Sequence, residues 1–284
     1  MLLVCKIDDM SFNNMLLTFN FYHTMFNYFF IFLISFIKSV LLFLILTITI
    51  ATVTLMERKL LSLIQRRVGP NYVGYRGRLQ FIADALKLIF KQIVVINKVN
   101  KFLFITIPAL VLITSYLFWI NLSWGLNLNI CEIEYNLFIM GIISTFFSYL
   151  LILVGFVSKN KYSVLASARV VVILLNLELL LNFFIVSLVI ISESLSFTQI
   201  VSLQSEGKWN FFIFLPVLPI LFITFLLETG RIPFDLAEAE SELIAGYTTE
   251  YGGFYFALFY LGEYFHLYCF SVVYSLCIFG GWFI

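Results

Sequence analysis

FFIFLPVLPILFITFLLETGRIPFDLAEAESELIAGYTTEYGGFYFALFYL, residues 211–261, sets two apolar runs on either side of a polar one. The runs at 211–227 and from 254 onward read as membrane-crossing helices, which need roughly 17–25 mostly apolar residues. Between them, residues 228–251 hold six carboxylates (Glu228, Asp235, Glu238, Glu240, Glu242 and Glu250) against a single cation, Arg231. The whole chain has 16 acids in 284 residues, so the cluster is local rather than a trend of composition. Like charges this close cannot all ionise cheaply where water is scarce, and a set that shares protons titrates as a unit. A solvated acidic loop is the plain alternative. The apolar step Ile232-Pro233-Phe234 and the flanking spans point instead to a proton-handling or charge-sensing segment.

Composition agrees with a membrane setting. The chain is 62% hydrophobic and 12% charged, with mean hydropathy +1.03. Soluble domains carry roughly 25% charged residues. The fold expected is an all-α membrane protein, a polytopic bundle of about six transmembrane helices with one interfacial amphipathic helix. A formal net charge of +1 and the lack of a basic arm give no reason to expect nucleic acid. The four cysteines, Cys5, Cys131, Cys269 and Cys277, show no CxxC spacing, so neither a metal nor an iron–sulfur site is expected within this chain. Residues 1–25 mix polar and apolar side chains with Asp8 and Asp9, unlike a secretory signal or an Arg-rich transit peptide. Heavy use of Phe, Ile, Leu, Asn and Tyr fits an AT-rich, organelle-type coding genome.

The chain divides into an N-terminal extension, 1–33, and a single transmembrane domain, 34–284. Spans are expected at 34–56, 102–120, 137–157, 170–191, 209–227 and 254–277. A basic loop, 57–101, holds ten of the seventeen Lys and Arg residues. Its VGPNYVGYRG run is turn-rich, but no strand precedes the glycines, so it is no dinucleotide fingerprint. Leu79, Ile82, Leu86, Ile89 and Phe90 recur at helical spacing, giving an amphipathic helix over 79–91 that is too short and charged to cross. Placing the basic loop on the positive side puts Lys159, Lys161 and Arg169 there two crossings later, and the acidic stretch 228–251 there after two more. Both loops therefore share one face by parity.

Two carboxylates fall inside spans, Glu178 and Glu263. Each costs roughly 2.5–3.5 kcal/mol at a helix centre on insertion scales, so each should face the bundle or a wet cavity. A structural hydrogen bond between helices is the alternative. If residues 235–242 are helical, Asp235, Glu238 and Glu242 share a face, Glu240 points elsewhere, and Arg231 stands four residues before Asp235. The acids could form a chain from the basic face into the membrane. Arg58, Lys59, Arg66, Arg67, Arg76 and Arg78 could serve as a topology signal or as lipid contacts. An apolar slot lined by a few Arg and Asp residues would equally suit a long-tailed, polar-headed quinone.

ERKLLSLIQRRVGPNYVGYRGRLQFIADALKLIFK (57–91) and ETGRIPFDLAEAESELIAGYTTEYGGFYFALFYLGEY (228–264) strongly resemble the two hallmark segments of the NADH dehydrogenase subunit 1 family, the membrane subunit of respiratory complex I at the quinone site. SKNKYSVLASARVVVILLNLE (158–178) is a weaker match. The resemblance runs from about residue 34 to 264. It implies a quinone-access tunnel lined or supported by Arg58, Arg67, Asp84, Arg231 and Asp235. It also implies a proton-coupling route through Glu228, Glu238, Glu240, Glu242, Glu178 and Glu263, with no catalytic redox centre or metal in this chain. Ubiquinone would be the substrate, with flavin and iron–sulfur clusters confined to partner subunits. The partners implied are peripheral-arm quinone-module subunits, small membrane-arm subunits and membrane lipids. The expected location is the mitochondrial inner membrane, ahead of a bacterial plasma membrane. The family usually has Asn at Gly230 and Pro at Tyr75 and Phe81, and continues past the position of Ile284 with two further spans. A separate chain is expected to supply those spans. A related subunit of a membrane-bound hydrogenase and an independent proton transporter are the alternatives. Retention of Gln65, Gly69, Pro70 and Asn71 in the basic loop favours the complex I reading.

Overall fold

The computed structural model describes residues 5–93, 96, 99–125, 129–130, 133–207, 209–228, 230 and 246–282. Two compact units divide the chain, Met1–Ile45 and Leu46–Ile284. In the first, the described residues belong to helix α1 (Cys5–Ile64), whose later part opens the second. The second unit continues with a 3₁₀ turn (Tyr75–Gly77), α2 (Gln80–Phe90), α3 (Lys101–Asn121), α4 (Asn136–Ser158), α5 (Lys161–Ser192), α6 (Phe197–Ser205), α7 (Asn210–Ile213), α8 (Leu218–Glu228), a second 3₁₀ turn (Gly246–Thr248) and α9 (Phe254–Ile278). Among the described residues there is no strand.

Among the described residues, five helical stretches are long and apolar enough to cross a membrane: Phe32–Ile64, α3, α4, α5 and α9. The residues expected as one span at 209–227 form instead two short helices, α7 and α8, with a turn at 214–217. Proline explains the break. Pro216 has no N–H to give and its ring crowds the carbonyl four residues back, while Pro219 sits in the first turn of α8, where a missing N–H costs nothing. The freed backbone is satisfied locally: Val217 N and Leu218 N both bond to Phe214 O, at 2.8 and 3.0 Å. The amphipathic stretch at 79–91 is helical as α2, and its large apolar residues are half-buried or exposed.

Helix starts follow local chemistry. Asn100 Oδ1 accepts from Phe102 N and Asn160 Oδ1 accepts from Tyr162 N, each at 3.2 Å, capping α3 and α5. Between α4 and α5 the chain reverses in a single left-handed step at Lys159 (φ 53°). These two helices make the most extensive helix pair, followed by α3 with α9 and α3 with α4. Small residues allow the approach: a Cβ on Gly155 would lie 2.0 Å from Ser167 Oγ.

The core sits where α3, α4, α5 and α9 meet, around Phe104, Phe118, Phe259 and Phe265. Trp119 Nε1 donates to Phe265 O at 2.9 Å, tying α3 to α9. Gln204 and Asn210 donate to the carbonyls of Leu276 and Cys277, which lack partners within the last turn of α9. Large apolar side chains such as Phe146, Phe156 and Phe183 are exposed on α4 and α5. In water that surface would be a liability; facing lipid tails it is the expected exterior.

Candidate functional site

Helix α9 carries Glu263, His266, Phe270 and Tyr274 at i, i+3, i+7 and i+11. That spacing lines one face and points inward. His266, 3% exposed, lies in an aromatic box: the Phe147 ring stacks on it at 4.4 Å and 8°, with Phe270 at 4.6 Å and Phe118 at 5.0 Å. Its Nε2 stands 3.9 Å from Oε1 of Glu228, the last residue of α8 and itself 8% exposed. Neither His266 Nε2 nor Glu228 Oε2 has a hydrogen-bond partner among the described residues. Buried polar atoms are rarely left so, and the exceptions call for a reason.

Glu178, on α5 and 5% exposed, lies within electrostatic reach of Glu228 and within hydrogen-bonding reach of Ser148 on α4. Tyr274 fastens α8 to α9, its hydroxyl donating to Leu221 O at 2.6 Å and standing 3.2 Å from Thr224 Oγ1. Glu178 and Tyr274 share the wall of one cavity with Ser144, Asn182 and apolar residues of α4, α5 and α9. About 40 Å³ of it is open to the centres of water molecules. One water needs roughly 10–15 Å³ by this measure, so the space is large enough for water, with the Glu178 carboxylate in its wall. Two acids from separate helices and a histidine therefore lie buried inside the bundle, and a water-sized cavity reaches one of the acids, Glu178.

Glu263, one turn before His266, accepts a short hydrogen bond from the Tyr247 hydroxyl. Residues 246–251 are pinned to the same helices. Tyr247 O accepts from Ser163 Oγ at 3.0 Å, and Glu250 Oε1 accepts from Asn160 Nδ2 at 2.7 Å, so Asn160 caps α5 with one atom and holds this segment with another. The Tyr251 ring stacks on Phe104 at 4.2 Å and meets the edge of Phe259 at 5.0 Å. Burial pushes the Tyr251 phenol well above its ordinary range, so it stays neutral at any physiological pH. Thus the described ends of the acidic stretch, Glu228 on one side and Gly246, Tyr247, Thr248 and Tyr251 on the other, are buried.

The basic loop forms its own cluster. Arg58, from the last turns of α1, pairs with Asp84 of α2, which also accepts from Gln80 Nε2 at 3.0 Å. Lys59 Nζ donates to Arg76 O at 2.7 Å, folding the loop back on the helix. Gly77 makes the fold possible, because at φ +72° a Cβ would lie 2.0 Å from Pro70 O. Tyr264 donates to Glu57 Oε2 at 2.8 Å, and Tyr260 donates in turn to Tyr264 at 3.1 Å. This chain leads from α9 to the end of α1.

Of the residues singled out in the sequence, Glu178 and Glu228 come together, Glu263 joins Tyr247, and Arg58 joins Asp84. Arg67 is exposed. Arg231, Asp235, Glu238, Glu240 and Glu242 lie outside the described residues. Sequence reasoning assigns no role to His266, Glu57, Tyr247 or Tyr274. The spacing of His266 from Glu263 is a readable signal for a shared face. Nothing local marks Glu57, which reads as the first charge of a loop.

A family model described as NADH dehydrogenase matches residues 37–284. NADH-ubiquinone oxidoreductase chain 1 of Paramecium tetraurelia is 50% identical over 246 residues, 87% of this chain and 94% of the relative. An NADH-quinone oxidoreductase subunit of Vesicomyosocius okutanii subsp. Calyptogena okutanii (strain HA) is 37% identical over 254 residues, 89% of this chain and 71% of the relative. NADH-ubiquinone oxidoreductase chain 1 of Metridium senile is 34% identical over 246 residues, 87% and 74% of the two chains. Apolar crossing helices, inward-facing carboxylates and a match over nearly the whole transmembrane region agree: the chain belongs to the NADH dehydrogenase family, as a multi-pass all-α membrane protein.

Proposed function

We propose that this chain is the quinone-site and proton-coupling membrane subunit of a proton-pumping NADH:ubiquinone oxidoreductase of the mitochondrial inner membrane. The observation that carries the reading is a pair of buried, electrostatically interacting carboxylates, Glu178 in the wall of a water-sized cavity and Glu228 at the start of the acidic stretch. Ubiquinone is the substrate. It takes two electrons and two protons on reduction, and electrons arrive from flavin and iron–sulfur groups held by partner subunits. Peripheral-arm quinone-module subunits and small membrane-arm subunits complete the assembly.

In this reading Arg58, Arg67, Asp84, Arg231 and Asp235 line or support the quinone tunnel. The Arg58–Asp84 pair, half exposed, keeps a cation fixed where a polar head group passes. Glu238, Glu240 and Glu242 start the proton route, which continues through Glu228, Glu178 and Glu263. Carboxylates in low dielectric respond strongly to a nearby change of charge, so a quinone that gains electrons alters which of them hold protons.

Two results test the reading. Replacing Glu238 and Glu242 together by glutamine is expected to cut proton translocation in sealed vesicles at least about tenfold, given that a positioned acid or base contributes about 10²–10⁴-fold. Unchanged quinone reduction and translocation would remove these acids from the mechanism. Asp84→Asn is expected to raise the KM for quinone several-fold while leaving kcat within about twofold, as for a group that acts mainly in binding. Steady-state kinetics with a short-tailed quinone checks it, and an unaltered KM would take the Arg58–Asp84 pair out of the tunnel.

A further inference from the structure

We infer that His266 and Glu228 form a proton-sharing pair: the carboxyl proton of Glu228 passes to Nε2 of His266, giving carboxylate and imidazolium, and returns when the charge nearby is reset. The inference rests on the proposed proton-coupling role of Glu228 and adds a residue to it. The step moves one proton between two atoms and needs no other reactant. Its geometric basis is the 3.9 Å approach of Nε2 to Glu228 Oε1, at side chains 4% and 3% exposed. A shift of about 1 Å closes that gap to hydrogen-bond length. Among the described residues neither His266 Nε2 nor Glu228 Oε2 has a hydrogen-bond partner, so both side chains carry a buried polar atom with bonding capacity to spare. The aromatic box holds the ring in place, and the stacked Phe147 face suits an imidazolium as well as a neutral ring.

The groups facing the pair come from every element around it. Glu178 of α5 acts on Glu228 electrostatically, with Ser148 of α4 beside Glu178. Tyr274 of α9 lies within the field of Glu228, and α3 contributes the ring of Phe118. Two carboxylates this close share negative charge unfavourably, and an imidazolium formed next to one of them offsets it. His266 is therefore a positioning and relay residue, set between Glu263 one turn earlier and Glu228 across the helix interface.

The test uses the assembled complex in membrane vesicles carrying His266→Gln, or His266→Asn if the first does not assemble. Both keep a polar side chain and remove the titrating ring. The alkaline limb of the turnover–pH profile is expected to move by about one pH unit. In redox-induced infrared difference spectra the Glu228 carboxyl band, identified by its loss in Glu228→Gln, is expected to change frequency. If turnover falls but the profile and the band stay put, His266 only packs the site and the pair is refuted. If turnover, profile and band all stay put, it is refuted equally. Should Glu228→Gln itself keep full turnover and translocation, the proton-coupling reading fails, which is a separate outcome from failure of the pair.

Discussion

Replacing Glu228 by glutamine is expected to lower quinone-linked turnover and proton translocation at least about tenfold, with the chain still assembled. Glutamine has nearly the same shape, so the packing of α8 against α5 and α9 should survive. What is lost is the ability to take and release a proton at a site that water reaches poorly, since Glu228 is only 8% exposed. Positioned acid–base groups contribute about 10²–10⁴-fold to rates, which corresponds to roughly 3–5 kcal/mol of barrier at 1.36 kcal/mol per factor of ten. The amide also brings an N–H donor toward Glu178, so the variant alters the electrostatics of the neighbour as well as removing its own charge. NADH:quinone reductase activity and vesicle acidification, measured on the same membranes, give both readouts. Wild-type values for both would show that the buried acids are structural.

Gly155→Leu is expected to prevent stable incorporation of the chain into its complex. The Cβ alone would lie 2.0 Å from Ser167 Oγ, 2.4 Å from Ser167 Cβ and 2.8 Å from Ser163 O, so backbone as well as side chain stands in the way. Overpacking of this kind costs about 1–3 kcal/mol and more when rigid atoms must move. Here it forces apart α4 and α5, the most extensively packed pair, and with them Ser148 and Glu178. Ser167→Gly in the same chain should recover part of the loss, because it removes the two nearest atoms. Quantifying the chain in the assembled complex on native gels checks both variants. Full assembly of the single variant would mean that the helices do not approach as closely as described.

The ease of reading each part from sequence follows the physics that shapes it. Spans at 102–120, 137–157 and 254–277 lie within a residue or two of α3, α4 and α9, because apolar length is a strong signal in a lipid solvent. The span expected at 170–191 stops short at Arg169, whereas α5 begins at Lys161. A helix can run on past a charged residue once its backbone bonds are made, and hydropathy does not record that. At 209–227 the apolar signal holds and the continuity does not, since Pro216 acts on the backbone and leaves hydropathy high.

The candidate site divides the same way. Glu178 stands out in sequence because a carboxylate among apolar residues is costly, and Glu228 because it opens the acidic stretch. Their approach is not legible there, because it depends on how α5 and α8 cross. His266 escapes sequence reading since its partner lies across a helix interface, and Glu57 because Tyr264 is distant in sequence. The resemblance to family motifs supplies roles that spacing alone does not give.

An experimental density map of the whole assembly in a membrane tests the central claim most directly, by fixing where the carboxylates at 235–242 point. The account predicts that Glu238 and Glu242 turn into the bundle, in line with Glu228 and Glu178 and joined to them by ordered water. Side chains that face bulk water, with apolar packing and no cavity between them and Glu228, would contradict it.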